Sequence, residues 1–215
     1  VDNWVHGHGL TFNPPERVQA YTHPLWMFAM TLLYLIERDG YFTLLLLSLG
    51  VSVAVIVLFL KTSDDLFSAF FGWSALMLSK AFVDFSTLGL ENPATLLFII
   101  LFGTLYFKAD FPLSRSRLFI LSLLAGLAAL NRIDSLLIFL PALIYIIIKQ
   151  RLLRDASTSL SARLKLVAAG FVPFLLWELF ALFYYGFLFP NTYYAKLHAG
   201  VPQAWMFNQG ILYFI

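Results

Sequence analysis

From residue 41 to residue 60 the chain reads YFTLLLLSLGVSVAVIVLFL, with no charge and no proline. As a helix rising about 1.5 Å per residue this stretch is roughly 30 Å long, the thickness of a bilayer hydrocarbon core. Nothing in a water-soluble fold of 215 residues needs such a segment, and it is not alone. Apolar segments recur at about 66–82, 93–107, 117–130, 133–148 and 166–185. Composition agrees: 60% of residues are hydrophobic and 12% charged, with a mean hydropathy of +0.82. Soluble domains carry about 25% charged residues. The expectation is an all-α, polytopic integral membrane helix bundle of about six transmembrane helices.

The same composition excludes other classes. A net charge of +2 gives no argument for nucleic acid. Absence of cysteine excludes disulfides, thiolate metal sites and cysteine nucleophiles. The 23 Phe, 10 Tyr and 5 Trp suit lipid-facing helices and interfacial belts. The chain opens at Val1 without Met and stops inside the apolar GILYFI, which reads as the middle of a longer protein. The expected organisation is one transmembrane domain over 1–215, incomplete at both ends. It divides into an extracytoplasmic loop with an interfacial helix (1–40), a bundle (41–185), and a second extracytoplasmic loop with the start of the next helix (186–215).

Local punctuation supports this division. Residues 2–6 read as the tail of a helix closed by Gly7 and Gly9, and Pro14 and Pro15 forbid helix after them. Thr22 or His23 caps a new helix with Pro24 in its first turn. That helix, 24–36, is about 13 residues or roughly 20 Å long, short of a ~30 Å core, and is expected to lie along the interface. Basic residues set the orientation. Lys61, Lys108, Arg115, Arg117, Lys149, Arg151, Arg154, Arg163 and Lys165 fall in one set of alternate loops, and only Arg132 and Lys196 in the loops 83–92, 131–134 and 186–210. The first set is expected to face the cytoplasm and the second the cell exterior or periplasm.

The outward loops hold the polar residues of interest. In FVDFSTLGLENP, Asn92 is placed to cap the next helix with Pro93 at its first position, so Glu91 sits at the positive end of the helix dipole. Two roles are open to Glu91: a base or cation-holding carboxylate, or a plain helix-start acid. Asp84, four residues after Lys80, reads as its ion-pair partner. In NRID, Asp134 is placed to cap the following helix. Arg132 offers a planar fork to a phosphate or carboxylate, or else snorkels to lipid headgroups. Glu178, inside FVPFLLWELFALFYY, is either functional or a buried acid bonded to a neighbouring helix. In FPNTYYAKL, Asn191, Tyr193, Tyr194 and Lys196 either line a sugar or phosphate site or anchor the interface, and anchoring is the stronger reading. His6, His8 and His23 make a weak metal set, because glycine spacers and a lack of acidic ligands favour ordinary loop histidines. P-loop, GxGxxG, HExxH and GxSxG motifs are all missing from the sequence.

GHGLTFNPPERVQAYTHPLW, with Gly7, Gly9, Leu10, Phe12, Asn13, Pro14, Glu16, Arg17, Val18, Ala20, Tyr21, Thr22, Leu25 and Trp26 in register, resembles the first extracytoplasmic loop of C-type (GT-C) membrane glycosyltransferases. The likeness is to bacterial members of the terminal arabinofuranosyltransferase-like group. It departs at Ala20, where glycine is common. LGLEN resembles the family's second acidic loop, with Leu88 in place of a small residue. LNRID resembles an L-x-R-x-D element, and FPNTYYAK the family's later loop. The resemblance implies transfer of a sugar, arabinofuranose in the nearest group, from a polyprenyl-phosphate donor to a cell-envelope glycan or glycolipid acceptor at the outer face of a bacterial cytoplasmic membrane. It places the family's main catalytic Asp upstream of Val1, so this fragment by itself is expected to be inactive. It carries over Glu91 as the acid of the second loop, and Arg132 and Lys196 as candidates for donor phosphate. No cofactor is specified, and a divalent cation is compatible with the carboxylates.

These readings combine into one expectation. The stiff loop and its interfacial helix form the rim of a pocket between lipid donor and acceptor, with Glu16, Arg17, Tyr21 and His23 as its polar contacts. Glu178, Arg132, Tyr194 and Lys196 are further candidate substrate-binding residues. The alternative is a transporter or flippase for a lipid-linked or anionic solute, which predicts inverted repeats and broken helices near the bilayer midplane. A non-catalytic scaffold subunit is a third class without positive support.

Overall fold

Side-chain caps set where many of the helices begin. The computed structural model describes residues 1–19, 21–153, 159–197 and 202–212. Asp39 accepts hydrogen bonds from the backbone N–H groups of Tyr41 and Phe42 and starts α3 (Gly40–Thr62). Asp65 does the same for Ser68 at the head of α4 (Leu66–Leu78), and Ser79 for Phe82 in α5 (Lys80–Thr87). Ser114 opens α7 (Arg115–Asn131) and Ser159 opens α9 (Leu160–Gly170). Each cap satisfies donors that the first turn otherwise leaves without a partner. The remaining helices are α1 (Asp2–Val5), α2 (Pro24–Glu37), α6 (Asn92–Phe107), α8 (Leu136–Leu152), α10 (Val172–Tyr185), α11 (Asn191–Leu197) and α12 (Gln203–Leu212), with a 3-10 turn at Ile133–Ser135 before α8. No strand occurs among the described residues.

Two compact units result: His23–Trp177, and Asp2–Thr22 grouped with the chain from Glu178 onward. In the larger unit α7 is the central helix. It buries Leu118 and Leu121, and with them Ser122, Ala125, Gly126, Ala128 and Ala129, small residues that let neighbours approach closely. A Cβ on Gly126 would lie 2.6 Å from the Gly170 carbonyl oxygen, and one on Gly170 would lie 2.5 Å from the Ser122 Cβ. The α7–α9 contact is therefore backbone against backbone. On its other side α7 packs into a core with Phe102 of α6 and Phe139, Leu143 and Ile146 of α8. The Phe102 and Phe139 rings meet edge to face at 4.9 Å.

Among the described residues, two helical stretches are long and apolar enough to cross a bilayer, Gly40–Thr62 and Ile133–Leu152. Two bent pairs bring the number to four if each is one span: Leu66–Leu78 with Lys80–Thr87, bent by 67°, and Leu160–Gly170 with Val172–Tyr185, bent by 58°. The expectation of about six spans also counted α6 and α7. At 16 and 17 residues these are roughly 24–26 Å long, short of the ~30 Å core. Helix α2, at 14 residues, matches the expected 24–36 segment to within a residue. Its chain direction changes at Arg38, which adopts the left-handed conformation (φ 54°) and donates its N–H to the Tyr34 carbonyl.

Candidate functional site

The NRID break builds one half of the site. α7 stops at Asn131 because Arg132 is extended (φ −151°, ψ 119°), and the chain re-enters helix through the 3-10 turn, where the Ser135 N–H donates to the Arg132 carbonyl at 3.0 Å. This geometry turns two consecutive side chains toward the head of α6. Asn131 is fully buried, and its Nδ2 donates to the Glu91 carbonyl at 3.2 Å and to Thr95 Oγ1 at 3.0 Å. Arg132 Nη1 donates to Glu91 Oε1 at 2.9 Å and to Asn92 Oδ1 at 3.0 Å. Its Nε and Nη2 donate to Asp134 Oδ1 and Oδ2 at 3.0 and 2.7 Å, a two-pronged pair on the guanidinium fork.

The other half comes from the approach to α2. His23 is the N-cap residue of that helix, as expected, but makes no side-chain cap bond. Its ring instead reaches Glu91, with Nε2 at 3.0 Å from Oε1. Three residues on, buried Trp26 donates its indole N–H to the Gly89 carbonyl at 2.8 Å. Gly89 has φ +75°, a conformation that glycine takes at little cost, so the loop turns sharply and presents Glu91 inward. The Glu91 side chain is 4% exposed, whereas those of His23 and Arg132 are each 32% exposed and that of Asp134 is 57% exposed. A buried carboxylate is thus fed by two half-exposed donors, with a second carboxylate at the surface.

One guanidinium faces two carboxylates here. The Asp134 hydrogen bonds hold the Arg132 guanidinium even more firmly in its charged form. Burial pushes the His23 imidazole below its ordinary value, Arg132 adds to this, and Glu91 and Asp134 oppose it. A neutral His23 that donates from Nε2 carries its proton on that nitrogen. Among the described residues no group of three or more His, Cys, Asp or Glu side chains is arranged to hold a metal ion. Beside the cluster, on the far side of Asn92 and Thr95, lies a cavity of about 310 Å³ lined chiefly by Phe82, Phe85, Leu76 and Leu96.

Of the residues singled out in the sequence, His23, Glu91 and Arg132 are brought together. Two capping assignments are corrected. Asn92 is the first residue of α6 rather than its cap, and its side-chain oxygen is taken by Arg132. Asp134 does not cap α8, because Arg132 holds both of its oxygens. The Lys80–Asp84 ion pair forms as expected, at 2.5 Å. Glu16, Arg17 and Tyr21 belong to the smaller unit. There Glu16 Oε2 accepts from Asn13 Nδ2 at 3.4 Å, and the Arg17 guanidinium sits 5.2 Å above the Tyr184 ring. Tyr21 donates to the Leu10 carbonyl at 2.9 Å and pairs with the Tyr185 hydroxyl, so the proline loop is tied down by tyrosines. Burial raises the Tyr21 phenol far above its ordinary value.

Glu178 lies midway along α10, half-buried, with Trp177 before it. The Tyr194 ring lies tilted against Phe187 at 5.3 Å and meets Tyr193 edge to face at 5.4 Å. The Lys196 side chain lies outside the described residues, as do Ala20 and Arg154. The residues that sequence reasoning missed as site members are Asp134, Asn131, Asn92 and Trp26. The spacing R-x-D was the available signal for Asp134. Asn131 had none beyond its place at a helix end.

No family profile matches the chain, and no solved structure matches it. The chain is similar to the terminal beta-(1->2)-arabinofuranosyltransferase of Mycobacterium tuberculosis, with 30% identity over 236 aligned positions. The alignment takes in 99% of this chain and 35% of that relative, so the chain spans about a third of the protein it resembles.

Proposed function

We propose that the chain is part of a membrane glycosyltransferase that moves a sugar, arabinofuranose by its likeness to the mycobacterial enzyme, from a polyprenyl-phosphate donor to a cell-envelope glycan or glycolipid. The donor cannot leave the bilayer, so its phosphate must be met where apolar helices end in a polar break. The observation that carries the reading is Arg132: a guanidinium at such a break, anchored by a buried carboxylate and adjoining an apolar cavity. In transfer from a lipid phosphate the leaving group is the phosphate itself, and a fixed cation stabilises the charge that develops there. The cavity suits the first apolar units of a lipid chain. A base was one of the roles the sequence left open to Glu91, and its burial favours a positioning role, holding Arg132 and His23 in place. The site is proposed to face the cell exterior from a bacterial cytoplasmic membrane. The GT-C architecture, with six spans in this segment, is part of the same proposal.

The bent pairs α4–α5 and α9–α10 favour a second reading, since broken helices are also what a transporter uses. One experiment separates the two. The full-length protein in membranes receives radiolabelled polyprenyl-phosphate sugars and a crude envelope acceptor, and wild type is compared with Glu91→Gln, Arg132→Gln and Arg17→Ala at equal expression. Transfer that collapses in the Glu91 and Arg132 variants supports the proposal. Transfer untouched by them discards this site. Absence of transfer from every donor, with solute or lipid movement in proteoliposomes, replaces the enzyme by a transporter.

A further inference from the structure

The two edges of the Arg132 guanidinium are used differently. Nη1 points inward and is fixed by Glu91 and Asn92. Nε and Nη2 form the edge that a carboxylate or phosphate takes with two parallel bonds, and Asp134 occupies both positions. Asp134 is the most exposed member of the cluster, at 57%. The turn that carries it does not need its side chain, because that turn is closed by backbone bonds from the Ser135 and Leu136 N–H groups. Removing the carboxylate would leave Arg132 anchored by its inner edge.

We propose that Asp134 is an internal stand-in for the phosphate: a displaceable carboxylate that fills the outer edge of Arg132 until a phosphate ester takes its place. This rests on the reading of Arg132 as the phosphate-binding residue. Geometry requires the exchange, since the two-pronged edge accepts one dioxo group at a time. Charge requires it as well. With Asp134 in place a phosphate meets two carboxylates around one guanidinium, and with Asp134 rotated outward it meets one. The carboxylate therefore sets a threshold that weak or singly bonding anions do not pass, and it occupies the cation when no donor is bound.

The test uses full-length protein in detergent micelles near neutral pH, titrated with farnesyl phosphate, with farnesol as the uncharged control. Wild type is compared with Asp134→Asn, Asp134→Ser and Arg132→Gln, each shown by its melting profile to be folded at the temperature of the titration. The two Asp134 substitutions guard against one of them failing to fold. Both are expected to bind farnesyl phosphate roughly three- to tenfold more tightly than wild type, the range of an exposed but two-pronged ion pair, with farnesol binding unchanged. Arg132→Gln is expected to lose the phosphate-dependent part. If Arg132→Gln weakens binding while both Asp134 variants bind no tighter than wild type, the stand-in is overturned and the phosphate site stands. If Arg132→Gln binds like wild type, both fall.

Discussion

The Glu91–Arg132 pair can be tested by a double-mutant cycle of Glu91→Ala with Arg132→Ala. At 2.9 Å and an effective dielectric constant of about 20, two unit charges attract by roughly 6 kcal/mol. Two observations reduce this. Arg132 is 32% exposed, so solvent screens its charge, and Asp134 shares the same guanidinium. A coupling of about 2 kcal/mol remains, within the range of a charge-assisted hydrogen bond with one buried partner. Glu91→Ala alone should cost about 2–3 kcal/mol, because it also removes the acceptor of the His23 ring. Unfolding free energies in mixed micelles of increasing denaturing detergent supply the measurement, read by tryptophan fluorescence, to which Trp26, whose indole is tied to the same loop, contributes. A coupling below about 0.5 kcal/mol would show that the two side chains do not meet, and the site would have to be redrawn.

Three further outcomes follow from other parts of the structure. His23 has its folded-state value lowered below the ordinary 6.5, chiefly by burial, so its contribution to stability is present above that pH and lost as pH falls through the lowered value; melting temperature against pH should slope downward on the acid side, and His23→Gln should flatten the slope. Gly126→Ala should cost about 1–3 kcal/mol, since the new methyl meets the Gly170 carbonyl at 2.6 Å, and an unchanged melt would show that α7 and α9 are not in backbone contact. Gly9→Ala combines φ +82° with a 2.7 Å approach to the Tyr184 hydroxyl, so it should cost roughly 1–2 kcal/mol and speed limited proteolysis within residues 2–22.

Helix positions were legible where one residue type decides them. Pro24 and Pro93 mark the starts of α2 and α6, and Gly7 and Gly9 close α1 with positive φ. The number of spans was less legible. Apolar runs such as 93–107 and 117–130 satisfy hydropathy equally well as core helices of a protein and as short membrane helices, and α7 shows the ambiguity by being buried among other helices. The site was half legible. Glu91 and Arg132 stood out as charges at breaks between apolar runs, but their pairing spans 41 residues and no local pattern encodes it. The capping assignments for Asn92 and Asp134 failed because the Arg132 guanidinium outcompeted the local backbone partner of each, from 40 residues away for Asn92 and from two residues away for Asp134.

Asn131 and Arg132 grip one residue at two points, the first by its main-chain carbonyl and the second by its carboxylate. A neighbouring pair of side chains therefore works as a gauge of chain length. One residue inserted between Ala128 and Arg132 would turn α7 by about 100° at its end, and the two bonds to Glu91 could not both re-form. Deletions on the Gly89 side would fail in the same way, because Trp26 and His23 fix that loop two residues apart. In these two short stretches a change in length should therefore do more harm than replacement of any side chain that makes none of these bonds.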